Sequence, residues 1–114
     1  MQNNANETDW RTVLKYEFEA SEGSFVLQCR CGGRDKEAHA RLFRAMIECC
    51  KSHEGQTHIE RWIASGFHFL DSYMSYPCEG LEEKYFANAI TNFSHLSYWL
   101  FEGEGRADDE FEPI

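Results

Sequence analysis

Segment 57–77 constrains the fold most, because it carries the clearest helical pattern in the chain. Apolar side chains recur every three or four residues, and polar side chains fill the opposite side. Thr57 is followed three residues later by Glu60, as in a capping box, and Pro77 marks the end. The pattern predicts a helix over 57–75. Its apolar face comprises Ile59, Trp62, Ile63, Phe67, Leu70, Tyr73 and Met74.

Two further segments show the same spacing and supply surfaces against which that face can pack. Asp35 is a suitable N-cap for a helix over about 35–53. Glu82 and Glu83 place negative charge in the first turn of a helix over about 81–102, where it complements the helix dipole. Short connections make neighbouring helices antiparallel. The sequence therefore predicts three antiparallel amphipathic helices.

The segment before these helices alternates between apolar and polar residues. Leu14, Tyr16 and Phe18 alternate with charged neighbours, a turn containing Gly23 follows, and the alternation then resumes. This pattern is typical of a β-hairpin, which we place at about 13–31. A helix is the alternative, with Thr8 or Asp9 as its cap. We favour the hairpin, so the predicted class is α+β. The residues that also fit helical spacing are Trp10, Val13, Leu14 and Phe18.

The net charge of −9 is concentrated at the end of the chain. Segment 102–112 holds six acidic residues against Arg106, a net of −5. The distribution predicts a single globular domain over 1–102 and a loosely ordered acidic tail over 103–114. Alternatively, the tail is an arm that meets a basic partner.

The start of the chain and its cysteines bear on the compartment. Residues 1–7 are polar and lack the basic and apolar regions of a signal peptide. Five cysteines cannot all pair within one chain. No apolar run approaches the roughly 18 residues that a membrane helix needs. We therefore expect a cytoplasmic protein that is not in the membrane.

The cysteines and histidines could also form a metal or catalytic site. Cys29, Cys31, Cys49 and His53 could together supply four zinc ligands. Each of these cysteines, however, occupies a position that the apolar pattern would fill anyway, so we favour buried thiols and no cofactor. The chain lacks nucleophile-elbow, phosphate-loop and zinc-protease motifs, which favours a protein that is not an enzyme.

One row of residues on the last helix is a candidate binding face. Asn88, Asn92, His95 and Trp99 lie along one side of helix 81–102, out of phase with its apolar face. An exposed tryptophan among amides is typical of interaction hot spots. Alternatively, Trp99 covers another element, or two faces of this helix are buried. The nearby acidic residues assigned to the same face are Asp71, Glu79, Glu82 and Glu83.

The charge also indicates the class of partner. A pI near 4.9 argues against direct binding to nucleic acid, which requires a dominant positive surface. We predict a small acidic protein-binding module, such as an immunity protein, antitoxin or inhibitor, that docks on a basic toxin or nuclease. The alternatives are a small enzyme or zinc-dependent domain that uses the Cys/His set, and a homodimeric structural subunit.

Overall fold

The chain is helical wherever its structure is described. A computed structural model describes residues 9–30, 35–73, 83–103 and 111–112. Within these ranges it contains the helices α1 (Trp10–Phe18), α2 (Phe25–Arg30), α3 (Lys36–Ser52), α4 (Arg61–Tyr73) and α5 (Glu83–Glu102). No strand occurs in these ranges, so the predicted α+β class and its hairpin over 13–31 are wrong.

Helix α1 takes the place of the predicted first strand. The Asp9 carboxylate caps it by accepting hydrogen bonds from the Arg11 backbone N–H at 3.2 Å and from the Thr12 hydroxyl at 2.8 Å. Tyr16, which the alternating pattern grouped with the apolar face, is 41% exposed. Leu14 and Glu17 are buried, three residues apart, as helical spacing requires. The helical alternative with Asp9 as cap is therefore confirmed.

Helix α1 ends just before the predicted turn that contains Gly23, at a left-handed residue that is not a glycine. Ala20 adopts a left-handed conformation with φ of +51°. Its N–H donates to the Glu17 carbonyl at 2.9 Å, and the Ser21 N–H donates to the Tyr16 carbonyl at 3.2 Å. These two bonds form a Schellman motif, which usually has glycine at the left-handed position. After this turn the chain forms a second helix, and it does not form the predicted second strand of a hairpin.

Helix α2 begins on a buried carboxylate from α1. The two oxygens of Glu17 accept the backbone N–H groups of Phe25 at 2.9 Å and Val26 at 3.0 Å. The Ser24 hydroxyl accepts the Leu27 N–H at 3.1 Å, so the start of this short helix is capped by side chains. Burial raises the pKa of Glu17, although the two N–H groups act in the opposite direction. The cap therefore joins α1 to α2 through the core.

The helices α3 and α5 confirm the sequence predictions closely. Asp35 caps α3 by accepting from the backbone N–H groups of Glu37 and Ala38, both at 3.1 Å. This helix spans Lys36–Ser52 against a prediction of 35–53. The last helix spans Glu83–Glu102 against a prediction of 81–102.

Helix α4 begins later than the capping-box pattern predicted. It starts at Arg61, and Thr57 lies outside it, with its hydroxyl 2.9 Å from the His58 Nδ1. The Glu60 carboxylate accepts hydrogen bonds from Arg11 and from the Trp62 Nε1–H. The Glu60 carboxylate therefore binds Arg11 of α1 and the Trp62 indole. The prediction of a Thr57–Glu60 capping box is wrong. The predicted end near Pro77 lies outside the described residues.

The four longer helices surround one core. Helix α1 packs against α3 and α4, and α5 packs against the same two helices, so their contacts form a closed ring. The short α2 packs against α1 and α3. No helix in the described ranges is long and apolar enough to cross a membrane. The largest fully buried apolar side chains are Phe25, Phe67, Phe93, Leu14, Leu42, Met46, Ile63, Leu70 and Leu96.

Three residues of the predicted tail are described: Gly103 directly follows α5, and Phe111 and Glu112 lie against the helices. The Phe111 ring contacts Phe43 of α3 with centroids 5.0 Å apart, and the Glu112 backbone is hydrogen-bonded to Asn92 of α5. Residues 104–110 and 113–114 lie outside the described residues. At Phe111 and Glu112, therefore, the chain returns to the helical body.

Gly66 allows α4 to approach α1 closely, which gives a stability prediction. A Cβ atom at this position would lie 2.0 Å from Cδ2 and 2.2 Å from Cε2 of Phe18. The Phe18 ring lies in edge contact with Trp62 and Phe67, so its displacement would disturb these two aromatic contacts. Gly66→Ala should lower the free energy of unfolding by about 1–3 kcal/mol in urea denaturation.

The matched control for Gly66→Ala is Ser65→Ala, at the exposed neighbouring position of α4. This variant should stay within about 0.5 kcal/mol of the wild type. Alanine is also a better helix former than glycine, by about 1 kcal/mol. A Gly66→Ala protein more stable than the wild type would therefore show that α1 and α4 lie farther apart than described.

Candidate functional site

A groove between α4 and α5 is the best candidate for a functional site. Its volume is about 390 Å³. Asp71 and Glu102 contribute carboxylates, and the described residues that line it include no lysine or arginine. We call it the acidic groove. Its lining comprises His68, Asp71, Ser94, Ser97, Tyr98, Phe101 and Glu102.

Two aromatic rings are exposed along this groove. Tyr98 is 51% exposed and Phe101 is 46% exposed, three residues apart on α5 and thus on the same side of the helix. Aromatic side chains are enriched where proteins bind other proteins. The faces of these rings also carry negative potential, which attracts cationic groups. The groove therefore combines apolar contact area with negative charge.

The carboxylate of Asp71 is held in place across the groove. The Ser94 hydroxyl donates to Asp71 Oδ1 at 3.0 Å, which links α5 to α4. An ionised carboxylate can accept several hydrogen bonds, so Asp71 can still accept from a ligand. The Ser97 hydroxyl is buried and has no hydrogen-bond partner among the described residues. The groove thus positions one charged acceptor before any ligand arrives.

A second cavity of about 380 Å³ lies between α1 and α4. It has charges of both signs, from Lys15 and Glu19, and its aromatic side chains include Phe18, Trp62 and Phe69. A mixed lining of this kind does not select the sign of a ligand's charge. The acidic groove is therefore the more selective of the two.

The predicted binding row on α5 is partly buried. Trp99 is 3% exposed, and its Nε1–H donates to a Glu54 carboxylate oxygen at 3.0 Å. Asn92 is fully buried and hydrogen-bonded to the backbone of Glu112. The structure thus corresponds to the alternative in which two faces of this helix are buried. Neither side chain offers a surface to a partner.

The remaining members of the row and of its acidic group have different surroundings. Asn88 and His95 are half-buried, and the His95 ring lies 6.3 Å from the Phe111 ring. Asp71 is exposed in the acidic groove. Glu83 is the first residue of α5, but its side chain is outside the described set, as are Glu79 and Glu82 entirely. Of the predicted site residues, Asp71 is the one that the structure places in the groove.

The structure describes the side chains of two of the four residues of the alternative zinc site, Cys49 and His53. Cys49 Sγ lies 3.7 Å from His53 Nδ1, and that nitrogen is closer to the Cys49 carbonyl oxygen, at 2.8 Å. Burial raises the pKa of the Cys49 thiol to about 12 and also raises that of Cys50. The described residues contain no cluster of three or more potential metal ligands. Cys31 and the side chain of Cys29 lie outside the described set.

Sequence reasoning missed Tyr98 and Phe101 as groove residues. Both lie off the apolar face formed by Phe93 and Leu100, so their positions on the helical wheel could have singled them out as exposed. The sequence pattern predicts exposure of Trp99, the larger side chain beside them, which is buried.

The acidic groove brings together two exposed rings and two carboxylates, one of which is hydrogen-bonded to a serine, on two helices that pack together. This arrangement suits the recognition of a cationic, partly apolar ligand. No protein-family model, curated protein or solved structure matches this chain.

Proposed function

We propose that this protein is a small acidic protein-binding module that docks on a basic partner protein through the acidic groove. The observation that supports this proposal is the lining of the groove, where Asp71 and Glu102 flank Tyr98 and Phe101 without a lysine or arginine among the described lining residues. An inhibitor, antitoxin or immunity protein for a basic toxin or nuclease would act in this way.

The charge of the whole chain supports fast association with such a partner. A net charge of −9 on 114 residues produces a negative potential that extends beyond the contact surface. Such a potential steers a positively charged protein toward its binding site and raises the association rate most at low salt. The same potential repels phosphate backbones, so nucleic acid is a poor ligand for this surface.

The groove itself supports selective anchoring once the partner has arrived. An arginine or lysine side chain can lie over the Tyr98 or Phe101 ring while its charged end reaches a carboxylate. Asp71 needs little reorganisation for this contact, because Ser94 already fixes its orientation. Such a site distinguishes a basic segment from an acidic or purely apolar one.

The sharpest test removes charge from the groove while it keeps the groove's shape. Asp71→Asn combined with Glu102→Gln preserves an acceptor for Ser94 and raises the net charge by two. The probe is a synthetic peptide rich in arginine and lysine, titrated at low and high salt by NMR. The double variant should bind it roughly tenfold more weakly at low salt, because two charge pairs are lost.

The control carries the same net charge but has the changes elsewhere. Glu22→Gln combined with Glu48→Gln alters two exposed carboxylates outside the groove. This control should keep the peptide affinity within about twofold, since only long-range attraction changes. Equal losses in the two double variants would show that net charge alone acts. Amide shifts confined to other helices would place the binding site elsewhere.

A further inference from the structure

Asn92 is a buried side chain that binds the backbone of a distant residue. Its Oδ1 accepts the Glu112 N–H at 2.7 Å, and its Nδ2 donates to the Glu112 carbonyl at 2.9 Å. The side chain is fully buried, whereas Glu112 itself is exposed. A single amide thus satisfies both polar groups of one residue in a segment 20 positions further along the chain.

This pairing recognises a peptide by its main chain. A carboxamide presents one acceptor and one donor side by side, as a neighbouring strand does when it pairs with an extended peptide. Residue 112 precedes Pro113 in the sequence, and a residue before proline is biased toward extended conformations. The contact therefore depends on the backbone of residue 112 and places no demand on its side chain.

The neighbouring aromatic contact adds side-chain selectivity. The Phe111 ring meets Phe43 of α3 edge-on, at 89° and 5.0 Å between centroids. It also lies 6.3 Å from the His95 ring of α5. Edge-to-face packing of this kind favours an aromatic residue over an aliphatic one of similar size. The residue before the backbone contact is thus recognised by its ring.

An occupant stabilises the site, because it supplies a hydrogen-bond acceptor and a donor to the Asn92 amide. Without one, a buried amide would lose a donor partner and an acceptor partner at once, which costs free energy unless water or another peptide replaces them. Asn92 bonds the returning segment, whereas Ser94 and Ser97 of the same helix line the acidic groove. The two sites therefore use different residues of α5.

We propose that Asn92, Phe43 and His95 form a peptide-binding site, which takes an aromatic residue followed by a residue held through its backbone. The C-terminal segment of this chain occupies the site in cis, through Phe111 and Glu112. The same segment supplied as a separate peptide competes for the site. This assignment rests on the contacts of Phe111 and Glu112 and does not depend on the acidic groove.

The test weakens the binding of the protein's own segment, which contains Phe111 and Glu112, and then adds the same segment as a separate peptide. Glu112→Pro removes the N–H that Asn92 accepts, and Glu112→Ala is the matched control that keeps it. The probe is a fluorescent peptide with the sequence of residues 107–114, followed by anisotropy. It should bind the Glu112→Pro protein roughly tenfold or more tightly than it binds the wild type or the Glu112→Ala protein, because the competing segment is weakened.

Changes in the peptide test the same contacts from the ligand side. Alanine at the position of Phe111, or proline at the position of Glu112, should weaken binding to the Glu112→Pro protein by roughly tenfold or more. The side-chain amide signals of Asn92 should shift in that protein and return toward their wild-type positions when the unmodified peptide is added.

Three results would overturn the proposal. One is equal binding of the peptide to the wild-type and Glu112→Pro proteins, or no binding to either. Another is unchanged affinity for the peptides with alanine or proline at the contact positions. The third is a wild-type protein that sediments as a dimer dissociated by Glu112→Pro, since a second copy would then supply the segment.

Discussion

Trp99→Ala should lower the free energy of unfolding by about 3–5 kcal/mol. Trp99 is 3% exposed, packs in the main apolar core, and donates its indole N–H to Glu54 at 3.0 Å. The substitution would leave a large cavity at the contact of α5 with the core and would remove a hydrogen bond to a charged acceptor. Urea unfolding followed by far-UV circular dichroism measures the loss without relying on tryptophan fluorescence.

The neighbouring residue provides the control. Tyr98→Ala changes an aromatic side chain that is 51% exposed, and it should alter stability by no more than about 0.5 kcal/mol. In the titration with the basic peptide, Tyr98→Ala should weaken binding and Trp99→Ala should not, because Tyr98 lines the acidic groove and Trp99 does not. A Trp99→Ala protein as stable as the wild type would show that the indole is exposed, in agreement with the hot-spot interpretation of the sequence.

The longer helices were predictable because their patterns extend over many residues. Helix α3 offers 17 residues with a regular apolar face, and Asp35 supplies a side-chain cap at the expected place. Over such a length the helical period is hard to mistake for the period of a strand. The start of α4 was less predictable, because the Glu60 carboxylate is bound by Arg11, which is distant in sequence.

The N-terminal segment was misassigned for identifiable reasons. Helix α1 has nine residues, and over so short a span both periods fit. Glu17 points into the core to cap α2, so a charge occupies a position where a helical pattern expects an apolar residue. Ala20, with a φ of +51°, ends the helix without the glycine that normally signals such a stop. The sequence therefore gives no sign that a helix ends at Ala20 or that the charged side chain of Glu17 is buried.

The candidate site was only partly predictable, because α5 contacts both α3 and α4. A helix that packs on two sides buries residues outside its main apolar stripe, which explains why Trp99 and Asn92 are buried. The partner of Asn92 is the backbone of residue 112, and a backbone contact leaves no side-chain pattern in the sequence. Asp71 was predicted as a site residue because it is acidic, and in the groove it contributes a negative charge.

Glu17→Ala should lower the free energy of unfolding by about 2–4 kcal/mol at neutral pH. The buried carboxylate is the acceptor for the N–H groups of Phe25 and Val26, which are both 1% exposed. Each buried donor left without a partner costs about 1–3 kcal/mol, and removal of a buried charge offsets part of that cost. The control is Glu19→Ala, which changes an exposed carboxylate nearby and should shift stability by no more than about 0.5 kcal/mol.

The same carboxylate gives a pH dependence with a defined sign. Burial raises the pKa of Glu17 in the folded protein above its value in the unfolded chain. The folded state therefore binds the proton of the Glu17 carboxyl group more tightly than the unfolded chain does. The contribution of Glu17 protonation to the free energy of unfolding is greatest below the ordinary glutamate pKa of about 4.3. It is lost as the pH rises through the raised pKa of the folded protein.

Glu17→Gln isolates this contribution, because glutamine does not titrate and keeps one acceptor for the two N–H groups. The wild-type free energy of unfolding minus that of Glu17→Gln should decrease as the pH rises from about 4 toward neutral. Urea denaturation of both proteins at a series of pH values measures the difference while the other titrating groups cancel. An increase over the same range would show that the N–H groups of Phe25 and Val26 outweigh the burial of the carboxylate, so that its pKa is lowered instead.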